Sequence, residues 1–192
     1  MEEREDKRIR RTKKLLRQAL TRLMQQKDFQ SITVTDVVRE ADINRGTFYA
    51  HYRDVYDLRE KIESEMIADF RGMIADFRGM IDDIHLNGGG SLHPVLMRAV
   101  DYLEENREIV TTLVRVSGAE GFSKKLIHVI EECRMESVPC RGVEDVYVAR
   151  FIATGVVGML ERWVAESQPL PKNELIALME HILSPMLQSA RG

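Results

Sequence analysis

The sequence is poor in cysteine: 192 residues contain only Cys133 and Cys140. They form no CxxC pair and join no Cys/His cluster, so no zinc site is expected. Two reduced thiols are expected, and Cys140, next to Arg141, is the one with a thiolate-promoting neighbour. No stretch approaches the roughly 18 apolar residues that span a bilayer. The opening segment MEEREDKRIRRTKK is charged with no apolar run behind it, which does not fit a secretory signal. Cytoplasmic residence without a membrane partner is therefore expected. Catalytic signatures are missing as well: there is no Gly-rich phosphate loop, no HExxH and no GxSxG elbow. His51, His85, His93, His128 and His181 are scattered. The reading is a non-enzyme with no catalytic residues, no metal and no cofactor.

What is present suits a helical, soluble chain. Hydrophobic residues make up 44% and charged residues 31%. The net charge of −3 is unevenly distributed. Residues 1–61 carry 15 Lys and Arg against 11 Asp and Glu, whereas residues 62–192 carry 13 against 20. A basic head on an acidic body presents one region to phosphates and repels them elsewhere.

Apolar residues recur three or four apart almost throughout, which is the helical period. Ile9, Leu16, Ala19, Leu20, Leu23 and Met24 predict a first helix over 7–26. Val34, Val37, Val38 and Ala41 follow i, i+3, i+4, i+7, so helix is preferred over strand despite the β-branched residues, with Thr33 as its cap. Asp42-Ile43 makes a tight turn, and Asn44 caps a second short helix over 45–51. A helical spine of about thirty residues then starts near Asp54, roughly 45 Å long at 1.5 Å per residue. It contains a duplicated heptad, Met66 to Gly72 repeated as Met73 to Gly79. Seven residues are nearly two turns, so the repeat lengthens the helix and keeps its apolar face. Gly72 and Gly79 mark either soft points or close packing. Asn87 to Ser91 breaks the pattern, Pro94 opens a new helix, and further helices are predicted over 107–117, 122–137, 143–166 and 172–188. The fold class is all-α with about nine helices, no strand pattern and no low-complexity region.

Two short helices joined by a tight turn are a helix-turn-helix, whose second helix enters the DNA major groove. Its start here carries Asn44, Arg45, Gly46 and Thr47. Arg45 can donate a bidentate pair to guanine O6 and N7, Thr47 can reach a base or a phosphate, and Gly46 admits a close backbone approach. Tyr49, His51, Tyr52 and Arg53 offer donors to phosphate oxygens, which position the protein without reading sequence. The first helix of the pair adds free N–H groups and the Thr33 and Thr35 hydroxyls as a phosphate clamp. Phe48 is expected in the core of this head.

The segment resembles the TetR family of bacterial regulators. The likeness rests on a helix ending Arg39-Glu40-Ala41, a turn, Gly46-Thr47-Phe48-Tyr49, then His51-Tyr52-Arg53, Leu58 and a long helix, over residues 8–65. Two positions depart from the family. Asp42 stands where Gly is usual, and Asp tolerates a left-handed backbone better than most residues. Val55 stands where Lys is frequent, so one phosphate contact is missing or moved to Arg53.

The resemblance implies a DNA-binding domain over 1–53, with three helices, and a regulatory and dimerisation domain over 54–192. It implies a double-stranded DNA operator as partner, homodimerisation through the last two helices, and a small-molecule effector among the middle helices. On the first of the last two helices the apolar stripe contains Phe151, Ile152, Gly155, Val156, Met159, Leu160 and Trp163. On the second it contains Leu175, Leu178, Met179, Ile182, Met186 and Leu187. The same stripes suit intrachain core; Gly155 and Gly158 favour close helix approach and hence the interface. Phe70, Phe77, Arg98, Tyr102 and His128 are the candidates for effector contact, with surface roles as the alternative. The implied activity is repression at a palindromic operator, with the effector acting through the spine at residues 66–79. The alternative is a TetR-fold coactivator or scaffold acting through protein partners.

Overall fold

The computed structural model describes residues 2–76, 78–79, 91–116, 121–137, 142–167 and 169–188, and among these nine α-helices and no strand are present. The helices are α1 Glu2–Gln26, α2 Val34–Glu40, α3 Arg45–Tyr49, α4 Val55–Asp76, α5 His93–Glu105, α6 Arg107–Val116, α7 Phe122–Ser137, α8 Val143–Ala165 and α9 Lys172–Gln188, with a 3-10 turn Phe29–Ser31 after α1. The chain divides into two compact units, Met1–Met66 and Ile67–Gly192. No described helix is long and apolar enough to cross a membrane.

The first unit is built on α1 to α3 and the start of α4. Leu16, Leu20, Val37, Phe48 and Leu58 are fully buried in its core. The ends of its short helices are fixed by side chains. Thr33 and Asp36 form a reciprocal capping box on α2: the Thr33 Oγ1 accepts from Asp36 N–H at 3.2 Å, and Asp36 Oδ2 accepts from Thr33 N–H at 3.0 Å. At the other end of α2 the Ile43 N–H donates to Val38 O at 3.0 Å and the Asp42 N–H to Arg39 O at 3.3 Å. That pair of bonds is a Schellman motif, which requires a left-handed residue at its turn. Asp42 supplies it with φ of 51°. The sequence expectation for Asp42 is met, and the reason is visible: the turn ends α2 and turns the chain to start α3.

In the second unit, α7 packs on α8, α9 on α5, and α6 on α8. Its buried centre includes Val100, Leu103, Leu113, Phe122, Ala153, Ile176 and Met179. Arg107 closes the end of α8: its Nη2 donates to Glu166 O at 2.6 Å and Trp163 O at 3.1 Å, carbonyls that no further helical turn satisfies.

α4 is 22 residues long as far as Asp76; of the expected continuation to Ile84, residues 78–79 are helical, and Phe77 and residues 80–84 lie outside the described residues. Both heptads of the duplication contact the same two helices. Asp69 accepts from the Tyr102 hydroxyl at 2.7 Å and Asp76 from Arg98 at 3.0 Å, both on α5. Arg71 pairs with Glu132 and Arg78 with Glu136, both on α7. Gly72 and Gly79 face open space, so neither serves close packing within the chain.

Asp42→Gly is expected to raise the stability of the first unit by up to about 1 kcal/mol, because glycine adopts a positive φ without steric cost. Asp42→Val is expected to lower it by about 1–2 kcal/mol. Urea unfolding followed by circular dichroism reads both.

Candidate nucleic-acid interface and effector cavity

α3 is only five residues long and is held from both ends. Asn44 caps it, its Oδ1 accepting from Thr47 N–H at 2.7 Å and from the Thr47 hydroxyl at 3.0 Å. Phe48, fully buried, anchors it from beneath with Tyr52. This leaves Asn44, Arg45, Gly46 and Tyr49 exposed on the outer side, and Thr47 and His51 half-buried. Arg45 Nη2 donates to the Thr35 hydroxyl of α2, so the two outward side chains of the helix pair lie against each other. A side chain at position 46 would meet Asn44 Oδ1 at 3.3 Å, so the glycine also protects the cap.

Several expected contacts are changed by this geometry. Tyr52 is buried, not outward-facing, and burial pushes its phenol up to about 12; it supports α3 and is corrected from phosphate donor to core residue. The Thr33 hydroxyl works in the α2 cap and donates to Asp36 at 2.8 Å. Arg53 is exposed, but its guanidinium reaches Asp57 at 3.3 Å. Val55 is buried in the core, so the family's lysine contact has no counterpart at that position.

Asp57 was not singled out from the sequence. It is buried and accepts from the Arg53 N–H at 2.9 Å and from Lys61 at 3.1 Å, while its own N–H donates to Asp54 Oδ1 at 2.8 Å. The spacing Asp54-x-x-Asp57 before an apolar run was the legible signal. The Arg53 N–H bond, assisted by Lys61, holds the Asp57 carboxyl below its ordinary range. Asp36 is held below it by Lys27 and then Thr33.

In the second unit the two apolar stripes divide by burial. Phe151 is 66% exposed, and Gly155, Leu178 and Ile182 are also on the outer face. Val156 and Met159 are intermediate. Ile152, Trp163, Leu175 and Met179 are buried within the chain, so they are core side chains and not surface ones. Trp163 also ties the loop after α8 to the helix, because its indole N–H donates to Leu170 O at 2.8 Å. Val143 and Tyr147, each 73% exposed, extend the Phe151 face toward the start of α8 and were not foreseen.

A cavity of about 140 Å³ lies among α4, α5, α7 and α8. Phe70, one of the candidates for effector contact, lines it together with Met73, Leu96, Ile152 and Val156. Arg98, Tyr102 and His128 do not line it. Arg98 and Tyr102 border a separate open polar groove beside Asp69 and Asp76, and His128 is exposed and 3.0 Å from Glu132. Phe77 and Cys140 lie outside the described residues. Arg134, buried in the cavity wall, was missed by the sequence reading. Cys133 also lines the cavity, and burial pushes its thiol up. Among the described residues no group of three His, Cys, Asp or Glu could hold a metal ion.

Comparison with known proteins agrees with this architecture. The family described as "Bacterial regulatory proteins, tetR family" matches residues 16–62, and "Transcriptional regulator C-terminal region" matches residues 90–185. A curated relative, the uncharacterized HTH-type transcriptional regulator YxbF of Bacillus subtilis (strain 168), is 24% identical over 110 residues, 57% of this chain. The matched part spans 28% of that relative's length. A TetR transcriptional regulator from Streptococcus agalactiae 2603V has the same fold, with TM-score 0.59, 20% identity, and 95% of this chain and 99% of that one covered. The dihydroxyacetone kinase operon activator DhaS also matches at TM-score 0.59, 18% identical over 92% of this chain and 94% of its own. A gamma-butyrolactone receptor, ArpA-like, matches at TM-score 0.51 and 18% identity, covering 95% of this chain and 98% of its own.

Both units being accounted for, Asp36 and Asp57 add a measurable consequence for the first. A carboxyl held below its unfolded value stabilises the fold fully above that value, about 3.9 for Asp, and loses the contribution as pH falls through the folded value. The first unit is therefore expected to lose thermal stability below about pH 4. Asp57→Asn is expected to melt lower at pH 7 and to show a shallower acid loss than the parent chain, read by melting curves between pH 7 and pH 3. The capped helix pair, its buried supports and the two family matches agree: the chain belongs to the TetR family of bacterial helix-turn-helix transcriptional regulators.

Proposed function

We propose that the chain is an operator-binding repressor that acts as a homodimer and is released by a small-molecule effector. The observation that carries the reading is the outward start of α3. Asn44, Arg45 and Gly46 are exposed on a helix whose cap and buried anchor fix its direction. Arg45 lies against Thr35 in the free protein, and this exposed contact is easily exchanged for a guanine edge. Thr35, Tyr49, His51 and Arg53 surround it and offer phosphate donors, while Thr33 contributes through the helix start that it caps. DNA-binding and regulatory parts over 1–53 and 54–192 remain the proposed division of labour.

The exposed face of α8 supports self-association. Val143, Tyr147, Phe151, Gly155 and Gly158 follow one another three or four apart, and no atom lies within 4 Å of where a Cβ would stand on either glycine. Leu178 and Ile182 of α9 are exposed as well. Large apolar side chains beside open glycines suit close helix packing against a second copy, burying a contiguous patch that a lone protomer would leave in water. The dimer would present two α3 helices to half-sites about one turn of DNA apart, or slightly more, hence a palindromic operator.

The effector is assigned to the cavity among α4, α5, α7 and α8, whose wall includes Phe70 and Met73 of the first and second heptads. An effector that favours the non-binding state by about 2.7 kcal/mol lowers operator affinity about 100-fold.

Purified protein is expected to shift DNA from its own intergenic region, with affinity falling steeply as salt rises. Arg45→Ala should weaken that binding by about 1–3 kcal/mol and relax base preference in the half-site, measured by footprinting and titration. An unchanged footprint would remove α3 as the reading helix, and a flat salt response would favour the coactivator or scaffold reading. Phe151→Arg is expected to leave helix content intact and convert dimer to monomer in light scattering, with operator affinity lost in proportion.

A further inference from the structure

We propose that the cavity of the second unit takes a neutral aromatic hydrocarbon the size of one ring, such as benzene or toluene, and discriminates against molecules of the same shape that carry a hydroxyl or a charge. The proposal rests on the effector reading and gives that effector a chemical class.

The walls set the polarity. The side chains of Phe70, Met73, Leu96, Leu126, Ile152 and Val156 contribute only carbon and sulfur atoms. The Cys133 thiol beside them is pushed up by burial and remains neutral, a weak hydrogen-bonding group at most. Arg134 is the one charged side chain in the wall among the described residues, and it already has an interaction within the chain. The backbone adds little, because the walls are α4, α5, α7 and α8, whose N–H and C=O groups bond along their own axes. A hydroxyl or a charge brought here leaves its water partners and finds none of equal strength, which is unfavourable. A hydrocarbon has no such partners to lose.

The volume sets the size. A cavity of about 140 Å³ is close to the roughly 150 Å³ at which an apolar protein cavity holds one benzene. One ring fills that space, and two fused rings do not. The wall atoms around such a void lack contacts on one side, so an occupant of the right size gains dispersion attraction from all of them. Phe70 and Met73 favour a ring over a chain. The Phe70 ring is held edge-on to Tyr102 at 5.1 Å, and the Tyr102 hydroxyl is itself fixed by Asp69 at 2.7 Å, so Phe70 is a braced wall for a second aromatic. The Met73 side chain adapts to irregular gaps, and its sulfur makes favourable contacts with ring edges.

Calorimetric titration of the full chain with toluene, phenol, benzylamine, benzoate and naphthalene at pH 7 tests this. Toluene and phenol share a shape and differ in one polar group. Toluene is expected to bind more tightly than phenol by about tenfold or more. Benzylamine and benzoate should bind more weakly than phenol, and naphthalene should not bind. Ala99→Phe, which fills the cavity, should abolish toluene binding, and Leu96→Ala, which enlarges it, should admit naphthalene. Should either variant not fold, the toluene, phenol and naphthalene comparison on the parent chain still decides. Phenol, benzylamine or benzoate binding as tightly as toluene would overturn the hydrocarbon assignment and leave the effector cavity standing. Naphthalene binding as tightly as toluene to the parent chain would overturn the single-ring size. No binding of toluene, or full toluene binding by a folded Ala99→Phe, would overturn the proposal outright. Operator affinity measured with and without saturating toluene tests the effector reading separately. Toluene that binds the cavity and leaves operator affinity unchanged would overturn that reading and leave the ligand class standing.

Discussion

The first unit depends on the burial of Phe48. Isolated helices shorter than about 12–15 residues are marginal in water, and α3 has five. Its direction is therefore a tertiary property. Phe48 is fully buried, Tyr52 follows one turn later at 4% exposure, and the two rings lie 5.8 Å apart. With Phe48 held inward, Gly46 falls on the opposite face of the helix, and Arg45 and Tyr49 are exposed beside it. The left-handed turn at Asp42 and the Asn44 cap define where the helix begins, so they set which residues occupy its exposed first turn. Any residue that loosens Phe48 would misdirect Arg45 without touching it.

Caps also explain why donors that look free in sequence are engaged in structure. Thr33, Asn44 and Thr47 are all polar groups near helix starts, and each is bonded within the protein. Sequence identifies a hydroxyl or an amide at a given place; it does not give the torsion angle that commits it to the backbone or to a neighbour. The exposed helix start is what remains for an anion, since the first N–H groups of a helix have no intrahelical partner.

The helices themselves were legible because apolar spacing is a backbone-period signal. The bounds of α7 and α9 are those that the spacing predicts. The faces of α8 were not legible, for the opposite reason. Apolar residues there surround the axis, so Phe151 and Ile152 are adjacent and chemically alike, yet one is 66% exposed and the other 6%. Only the identity of the packing neighbours separates them. Trp163 illustrates the same limit, since its indole N–H finds Leu170 O, seven residues away, through a loop whose path the sequence does not reveal. Arg134 was recoverable: Leu126, Ile130 and position 134 are four apart, which puts a charge on an apolar face.

The duplicated heptad brings these threads together in α4. This helix gives Val55, Leu58 and Ile62 to the buried set of the first unit and Phe70 and Met73 to that of the second. Its repeated Asp and Arg make two layers of pairs; both arginines meet a glutamate of α7, but the partners of the two aspartates on α5 differ. Asp69 meets a phenol and Asp76 a guanidinium, while the first layer alone has the Phe70 ring edge-on to Tyr102 at 5.1 Å. Register is therefore specified by the differing α5 partners, since two identical heptads cannot specify it between themselves. The ion pairs of both layers are largely exposed, and exposed pairs contribute about 0–1 kcal/mol each. Under the proposed regulation, an effector touching Phe70 and Met73 presses on the apolar side of α4, opposed on the polar side by contacts of that modest size. A preference of about 2.7 kcal/mol between two positions of the helix is then enough to exchange such contacts. The duplication thus gives α4 a second layer of exposed pairs to α5 and α7, contacts of the modest size on which the proposed regulation relies.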